Sequence, residues 1–224
     1  MEEVRLIEVK EEIMSDNKIQ ADDLRSQLKS EKTYLINLMS SPGAGKTSFI
    51  LQTIKAVNKR LNIGVMEADI DSKVDAEKIA AHGIEAIQLR TGGFCHLDSN
   101  MVAKGLNAMN SAEQDLIIIE NVGNLVCPAE FDTGSHLNVM ILSVPEGDDK
   151  PLTYPLMFTV SNVMIIHKTD YLALSDFDVS LAKERARSLN PDIKIFEISS
   201  KTGEGVEAWA DWLVNEVKET LEIG

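Results

Sequence analysis

Residues 34–50 read Tyr34-Leu35-Ile36-Asn37-Leu38-Met39-Ser40-Ser41-Pro42-Gly43-Ala44-Gly45-Lys46-Thr47-Ser48-Phe49-Ile50, an apolar run, a small-residue turn and the start of a helical pattern that extends to about Lys59. This order suits a phosphate-binding loop. Small residues let successive backbone N–H groups face phosphate oxygens, and the helix N-terminus adds favourable partial charge. Ser41, Gly43, Ala44, Gly45 and Ser48 are the expected cradle, Lys46 reaches the outer phosphates, and the Thr47 hydroxyl is a magnesium ligand. Ser40 stands where G-x-x-x-x-G-K-[ST] has its first glycine, a departure that leaves the phosphate-binding part in place.

Working outward, short apolar runs at 34–39, 63–68, 86–89, 116–119, 139–144, 163–166 and 195–198 alternate with segments long enough for crossover helices. Near-continuous apolar runs imply strands covered on both faces. The expected fold is a P-loop NTPase of the α/β class, three layers (α/β/α) around a mostly parallel sheet of about seven strands, occupying 33–224. Residues 1–32 precede the first strong strand and carry Val4, Ile7, Ile13, Leu24 and Leu28 at loosely helical spacing, which predicts an N-terminal helical extension. A helix folded along the domain and a partner-binding arm both fit that spacing. The final helical pattern, about 205–221, carries Trp209 and Trp212, assigned to core packing.

The chain has 224 residues, 22 basic against 36 acidic side chains and a formal charge of −14, which argues against a general nucleic-acid or anionic-membrane binder. No apolar run approaches the roughly 20 residues of a membrane span. Two cysteines and no basic start followed by an apolar stretch point to a cytoplasmic protein with reduced thiols.

Further acids should complete a magnesium shell. The second run leads to Asp69, with Asp71 and Asp75 beyond, and the fourth delivers Glu120 ahead of Asn121-Val122-Gly123. Asp69 and Glu120 are magnesium candidates, Lys46, Glu120 and Asp75 the catalytic candidates, with Asp75 orienting water and Asp71 read as an exposed loop carboxylate. His167-Lys168-Thr169-Asp170 resembles the N-K-x-D guanine motif, with histidine in place of asparagine, and Ser199-Ser200-Lys201 resembles the S-A-K loop beside the base. Both follow strand runs, which favours GTP over ATP. Lys150, after Glu146-Gly147-Asp148-Asp149, reads either as a group reaching a phosphate across a dimer or as a solvated loop lysine.

The cysteines lie in Thr91-Gly92-Gly93-Phe94-Cys95-His96-Leu97-Asp98 and Asn121-Val122-Gly123-Asn124-Leu125-Val126-Cys127-Pro128. Two cysteines 32 positions apart are ordinarily small buried hydrophobes, although the Cys-His pair is a soft donor set suited to zinc or nickel. Three ligands do not fill a four-coordinate shell, and a site shared across a two-fold axis, which presents each residue twice, would supply the rest. His82 and His136 have no such company and read as surface or capping residues.

Taken together, Gly43-Ala44-Gly45-Lys46-Thr47, Cys95-His96-Leu97-Asp98 and Glu120 through Pro128 resemble the HypB family, the nickel-insertion GTPases of hydrogenase maturation, which are related to the urease accessory GTPases. The resemblance implies a GTP-dependent homodimer of the metal-chaperone class that carries nickel or zinc at Cys95, His96 and Cys127. It also implies work with hydrogenase maturation accessory proteins to load a [NiFe] hydrogenase large-subunit precursor. Residues 1–33 contain no cysteine or histidine, so the N-terminal metal motifs of some family members are not expected here. Other readings are a GTPase of the same class serving urease or a cobalamin enzyme, a GTP switch with structural cysteines, and a small-molecule kinase.

Overall fold

The computed structural model describes residues 9–69, 77 and 79–223. Seven strands form one sheet: β1 (Tyr34–Ser40), β2 (Ile63–Asp69), β3 (Glu85–Arg90), β4 (Leu116–Glu120), β5 (Leu137–Ser143), β6 (Val163–His167) and β7 (Lys194–Ile198). Their order is β3-β2-β4-β1-β5-β6-β7, and every neighbouring pair is parallel. The sheet expected to be mostly parallel is wholly so among the described residues. β1 sits centrally, and the crossovers on either side of it run in opposite directions, so ligand sites are expected beyond the carboxyl ends of the strands beside it.

The alternation along β1 divides the core. Tyr34, Ile36 and Leu38 pack with α2 (Lys46–Val57) and α8 (Val206–Leu221) through Phe49, Ile50, Ile54, Trp209, Leu213 and Val217. Leu35 faces the other way, with α1 (Val9–Glu31) and α3 (Ser99–Ala108) through Leu24, Leu28, Val102 and Leu106. Met39 joins a third cluster with α6 (Pro155–Val160) and α7 (Val179–Leu189) through Met157, Phe158 and Ala186. The short helices α4 (Cys127–Glu130) and α5 (Lys150–Thr153) lie beyond the carboxyl ends of β4 and β5. Trp209 is fully buried and donates its indole N–H to Thr53 Oγ1 at 3.0 Å, while Trp212 packs at the edge of the same cluster. Among the described residues no helix is long and apolar enough to cross a membrane.

α1 lies against the domain. Its buried positions Asn17, Ala21, Leu24 and Leu28 follow a 4-3-4 spacing, one seam of a helix otherwise polar. Val4 and Ile7 fall outside the described residues.

His136 departs from the expected surface or capping role. It stacks on Tyr34 with ring centroids 5.0 Å apart, and its Nδ1 accepts the Leu35 backbone N–H at 3.1 Å. Burial, reinforced by the Arg25 charge, pushes its pKa down to about 4. The folded chain thus keeps this ring neutral to about pH 4, whereas the unfolded chain protonates it near 6.5. The unfolded state binds the extra proton, so this contribution is whole above about pH 6.5 and is lost as pH falls toward 4. His136→Phe is expected to be less stable than the parent at pH 7 in urea unfolding, with the gap closing at pH 5. A gap independent of pH would show that His136 does not titrate in this way.

Candidate functional site

The turn from β1 into α2 forms the centre of the site. Gly45 takes φ +102° at the helix N-terminus, and a Cβ there would lie 2.7 Å from His167 Cε1 and 2.8 Å from its Nδ1, so glycine is required on two counts. The helix begins at Lys46, where Gly45 supplies the left-handed turn. Lys46 Nζ donates to Ser40 Oγ at 3.3 Å, and that buried hydroxyl donates to the Ser41 carbonyl at 2.8 Å. Ser40 therefore anchors the loop and its lysine, a role that glycine could not fill. Ser41 donates to Glu146, which also accepts the backbone N–H and hydroxyl of Ser143 at 2.8 and 2.6 Å.

Thr47 Oγ1 donates to Glu120 Oε1 at 3.0 Å. Glu120 ends β4 in register with Glu67 of β2, and both buried carboxylates line a cavity of about 330 Å³ with Pro42, Gly43, Lys46 and Thr47. Glu67 was not singled out in the sequence, because an acid inside an apolar strand run reads as an interruption; its parallel register with Glu120 is a property of the sheet. Asp69 closes β2, but its side chain, like Asp71 and Asp75 with the proposed water-orienting role, lies outside the described residues.

A second cavity, of about 260 Å³, opens on the other side of Gly45 and is lined by Ser48, His167, Lys168, Asp170, Tyr171, Ser200 and Lys201. His167 is buried at the end of β6, with Nδ1 2.8 Å from the Ala44 carbonyl and Nε2 2.7 Å from Ser200 Oγ. Burial lowers its pKa, which favours the neutral ring. The carbonyl can only accept, so Nδ1 carries the hydrogen and Nε2 accepts the Ser200 hydroxyl. Histidine thus ties the phosphate loop to the 199–201 loop in a position where the motif has asparagine. Lys168 adopts φ +59° and donates from Nζ to the Gly43 carbonyl at 2.8 Å. Asp170 Oδ1 accepts from Ser199 Oγ at 2.7 Å, and this bond holds its carboxyl below the usual range, with Lys201 Nζ 3.7 Å away assisting.

Cys95, His96 and Cys127 offer ligand atoms that all lie within 4.8 Å of one another, and all three residues are half-buried. Cys95 Sγ is 3.8 Å from His96 Nδ1, Asn124 Nδ2 donates to Cys127 Sγ at 3.5 Å, and the His96 ring stacks on Phe131 at 3.9 Å. Burial lowers the His96 pKa, favouring the neutral imidazole that a metal requires. Hydrogen bonding with Cys95, aided by burial, raises that of Cys127. Exposed Phe94 and Val126 flank the cluster.

One residue joins this cluster to the phosphate site. The Asn121 side chain, fully buried, accepts the backbone N–H of Leu97 at 3.3 Å and that of Val122 at 2.8 Å, and donates to Asn37 Oδ1 at 3.0 Å. It follows Glu120 directly, so the phosphate-side carboxylate and the loop carrying Cys95 and His96 meet on adjacent residues. Lys150 opens α5 and lines neither cavity; the contact between its segment and the phosphate loop runs through Glu146 to Ser41. His82 is exposed.

Residues 34–197 match the family described as "CobW/HypB/UreG, nucleotide-binding domain". The hydrogenase maturation factor HypB of Azotobacter vinelandii is 43% identical over 209 residues, covering 93% of this chain and 69% of that protein. The hydrogenase/urease maturation factor HypB of Helicobacter pylori strain J99 is 37% identical, covering 96% of this chain and 90% of its own length. Among solved structures, HypB from Helicobacter pylori in complex with nickel superposes with a TM-score of 0.86 at 37% identity, covering 92% of this chain and 97% of that one. HypB from Archaeoglobus fulgidus gives 0.84 at 38% identity, covering 91% and 99%.

Proposed function

Because the chain belongs to the HypB branch of the CobW/HypB/UreG family of P-loop GTPases, we propose that it couples GTP hydrolysis to the delivery of nickel, held by Cys95, His96 and Cys127, to a [NiFe] hydrogenase precursor. The observation that carries the proposal is the adjacency of two chemistries. The soft Cys-His-Cys cluster reaches the Glu120 turn through the Asn121 to Leu97 hydrogen bond. The cargo ion is nickel, and zinc suits the same donors. The delivering species is a homodimer, acting in the cytoplasm with accessory proteins, and its two-fold axis brings a second cluster to complete the coordination.

Each residue has a definable task. Lys46 leaves Ser40 for the phosphates, and the backbone N–H groups of 43–48 face the same anion. The carboxylates of Glu67 and Glu120 and the Thr47 hydroxyl form a hard oxygen set around one cavity, the donor chemistry that magnesium takes. Magnesium there neutralises charge on the phosphate oxygens. Asp170 accepts from the two N–H donors of the guanine edge, Lys168 packs its stem over the base, and Ser199, Ser200 and Lys201 bound the pocket. Asp69 and Asp75 remain proposed as further carboxylates on the magnesium and water side. When Thr47 and Glu120 turn from each other to the incoming ligand, Asn121 moves with Glu120 and the N–H of Leu97 follows, which alters the cluster.

Nickel titrated anaerobically into the protein with a GTP analogue and then with GDP tests this reading, followed by thiolate-to-nickel absorbance and sedimentation. Cys95→Ala and Cys127→Ala are each expected to weaken nickel binding at least about tenfold while GTP still binds, since each removes one of three ligands. Nickel affinity is expected to differ between the two nucleotide states; identical affinities would remove the coupling, because a ligand that binds both states equally shifts neither.

A further inference from the structure

α1 contributes to neither cavity beside the phosphate loop, yet its one buried amide reaches both segments that bear the proposed metal ligands. Asn17 Oδ1 accepts the backbone N–H of Ser99 at 3.0 Å and its hydroxyl at 2.9 Å. Ser99 is three residues beyond His96 and opens α3, whose first N–H would otherwise be an unpaired helix end. Asn17 Nδ2 donates to the carbonyl of Asp132 at 2.9 Å, five residues beyond Cys127 and next to Phe131, on which the His96 ring stacks. One planar amide thus joins the Cys95-His96 segment to the Cys127 segment.

The second segment is pressed onto α1 at two further points. Arg25 Nη2 donates to both carboxylate oxygens of Asp132, at 2.8 and 2.9 Å, and its Nε donates to the Ser135 carbonyl at 2.9 Å. Gly134, at φ +78°, approaches so closely that a Cβ would sit 2.9 Å from Leu24 Cδ2 and 3.2 Å from the Ala21 carbonyl. Asn17 is buried while Asp16 and Lys18 beside it are exposed, so it is placed for contact rather than solvation. An amide suits this place because it is at once acceptor and donor in one fixed plane.

We propose that Asn17 is a positioning residue for the metal centre, fixing the separation of the Cys95-His96 and Cys127 segments through its bonds to Ser99 and Asp132. The inference rests on the reading of Cys95, His96 and Cys127 as the cargo site. Supporting groups behind metal ligands commonly change affinity by about 10- to 100-fold when removed.

The test uses the full chain, with nickel and zinc titrated separately into wild type, Asn17→Ala and Asn17→Asp, alongside GTP turnover with magnesium but no nickel or zinc, and thermal unfolding. Asn17→Asp keeps the acceptor for Ser99 but sets a carboxylate oxygen against the Asp132 carbonyl in place of the donor, so it opposes the joining of the two segments directly and carries the test if Asn17→Ala is too unstable to titrate. Both variants are expected to bind nickel about tenfold more weakly and to shift the thiolate-to-nickel absorption band, with turnover supported by magnesium alone unchanged. A folded Asn17→Asp with wild-type affinity and an unshifted band overturns the positioning role while leaving the metal reading intact. Wild type that binds neither ion through its cysteines overturns both.

Discussion

Gly45→Ala is expected to abolish measurable nucleotide binding and to lower the melting temperature by several degrees. The added methyl meets the His167 ring at 2.7 to 2.8 Å, and φ +102° is a backbone conformation that alanine rarely adopts. Backbone strain of this kind costs about 1–3 kcal/mol. If His167 moves instead, it gives up its bonds to Ala44 and Ser200, and the phosphate loop separates from the 199–201 loop. In a domain of 150–250 residues each kcal/mol is worth about 2–4 °C. Differential scanning fluorimetry with and without GTP and magnesium measures both effects. A variant that melts like the parent and is still stabilised by GTP would show that the His167 bridge is dispensable.

The second large effect is expected at Asp170. Asp170→Asn should lower GTP affinity by about 100-fold or more, because a carboxylate accepting two donors from guanine gives way to a group with one acceptor and one opposed donor. Hydrogen bonds to a charged partner contribute about 1.5–3 kcal/mol each. Xanthine carries a carbonyl where guanine carries its amino group, so xanthosine triphosphate is expected to displace a labelled nucleotide from the variant better than GTP. Ser199 is placed to hold the amide as it holds the carboxylate, which keeps the swap local. Unchanged GTP preference would mean that the base is read elsewhere than in the cavity beside Tyr171.

The sheet was legible because its central strand runs are apolar enough to require cover on both faces, and Gly45-Lys46-Thr47 locates the turn beyond the central strand. The approach of Cys95, His96 and Cys127 was suggested by the Cys-His pair, but their spacing in sequence does not specify it; it depends on β3 and β4 flanking β2. Contacts that depend on register or long-range packing were not legible. Glu67 becomes a site residue only through its pairing with Glu120, and His136 becomes a half-buried packing residue only through Tyr34 and Leu35. His167 stands where the motif has asparagine, and its two ring nitrogens span a gap between loops that the motif does not describe. Asn17, a polar residue on a polar helix, carries no sequence signal for what it joins.

The docking of α1 also bears on the order in which the molecule is made. Asn17 leaves the ribosome before its partners Ser99 and Asp132, which follow 82 and 115 residues later. At about 5–20 residues per second, the helix waits several seconds or longer for surfaces to pack against. A largely polar helix gains most of its stability from such packing, so α1 remains a transient coil or helix through synthesis of β1 to β4. Its seam closes only after the chain through Ser135 has emerged, because Arg25 needs the carbonyl of that residue. α1 is thus among the last elements to settle, and a nascent chain carries its cysteines before the helix that braces them has docked.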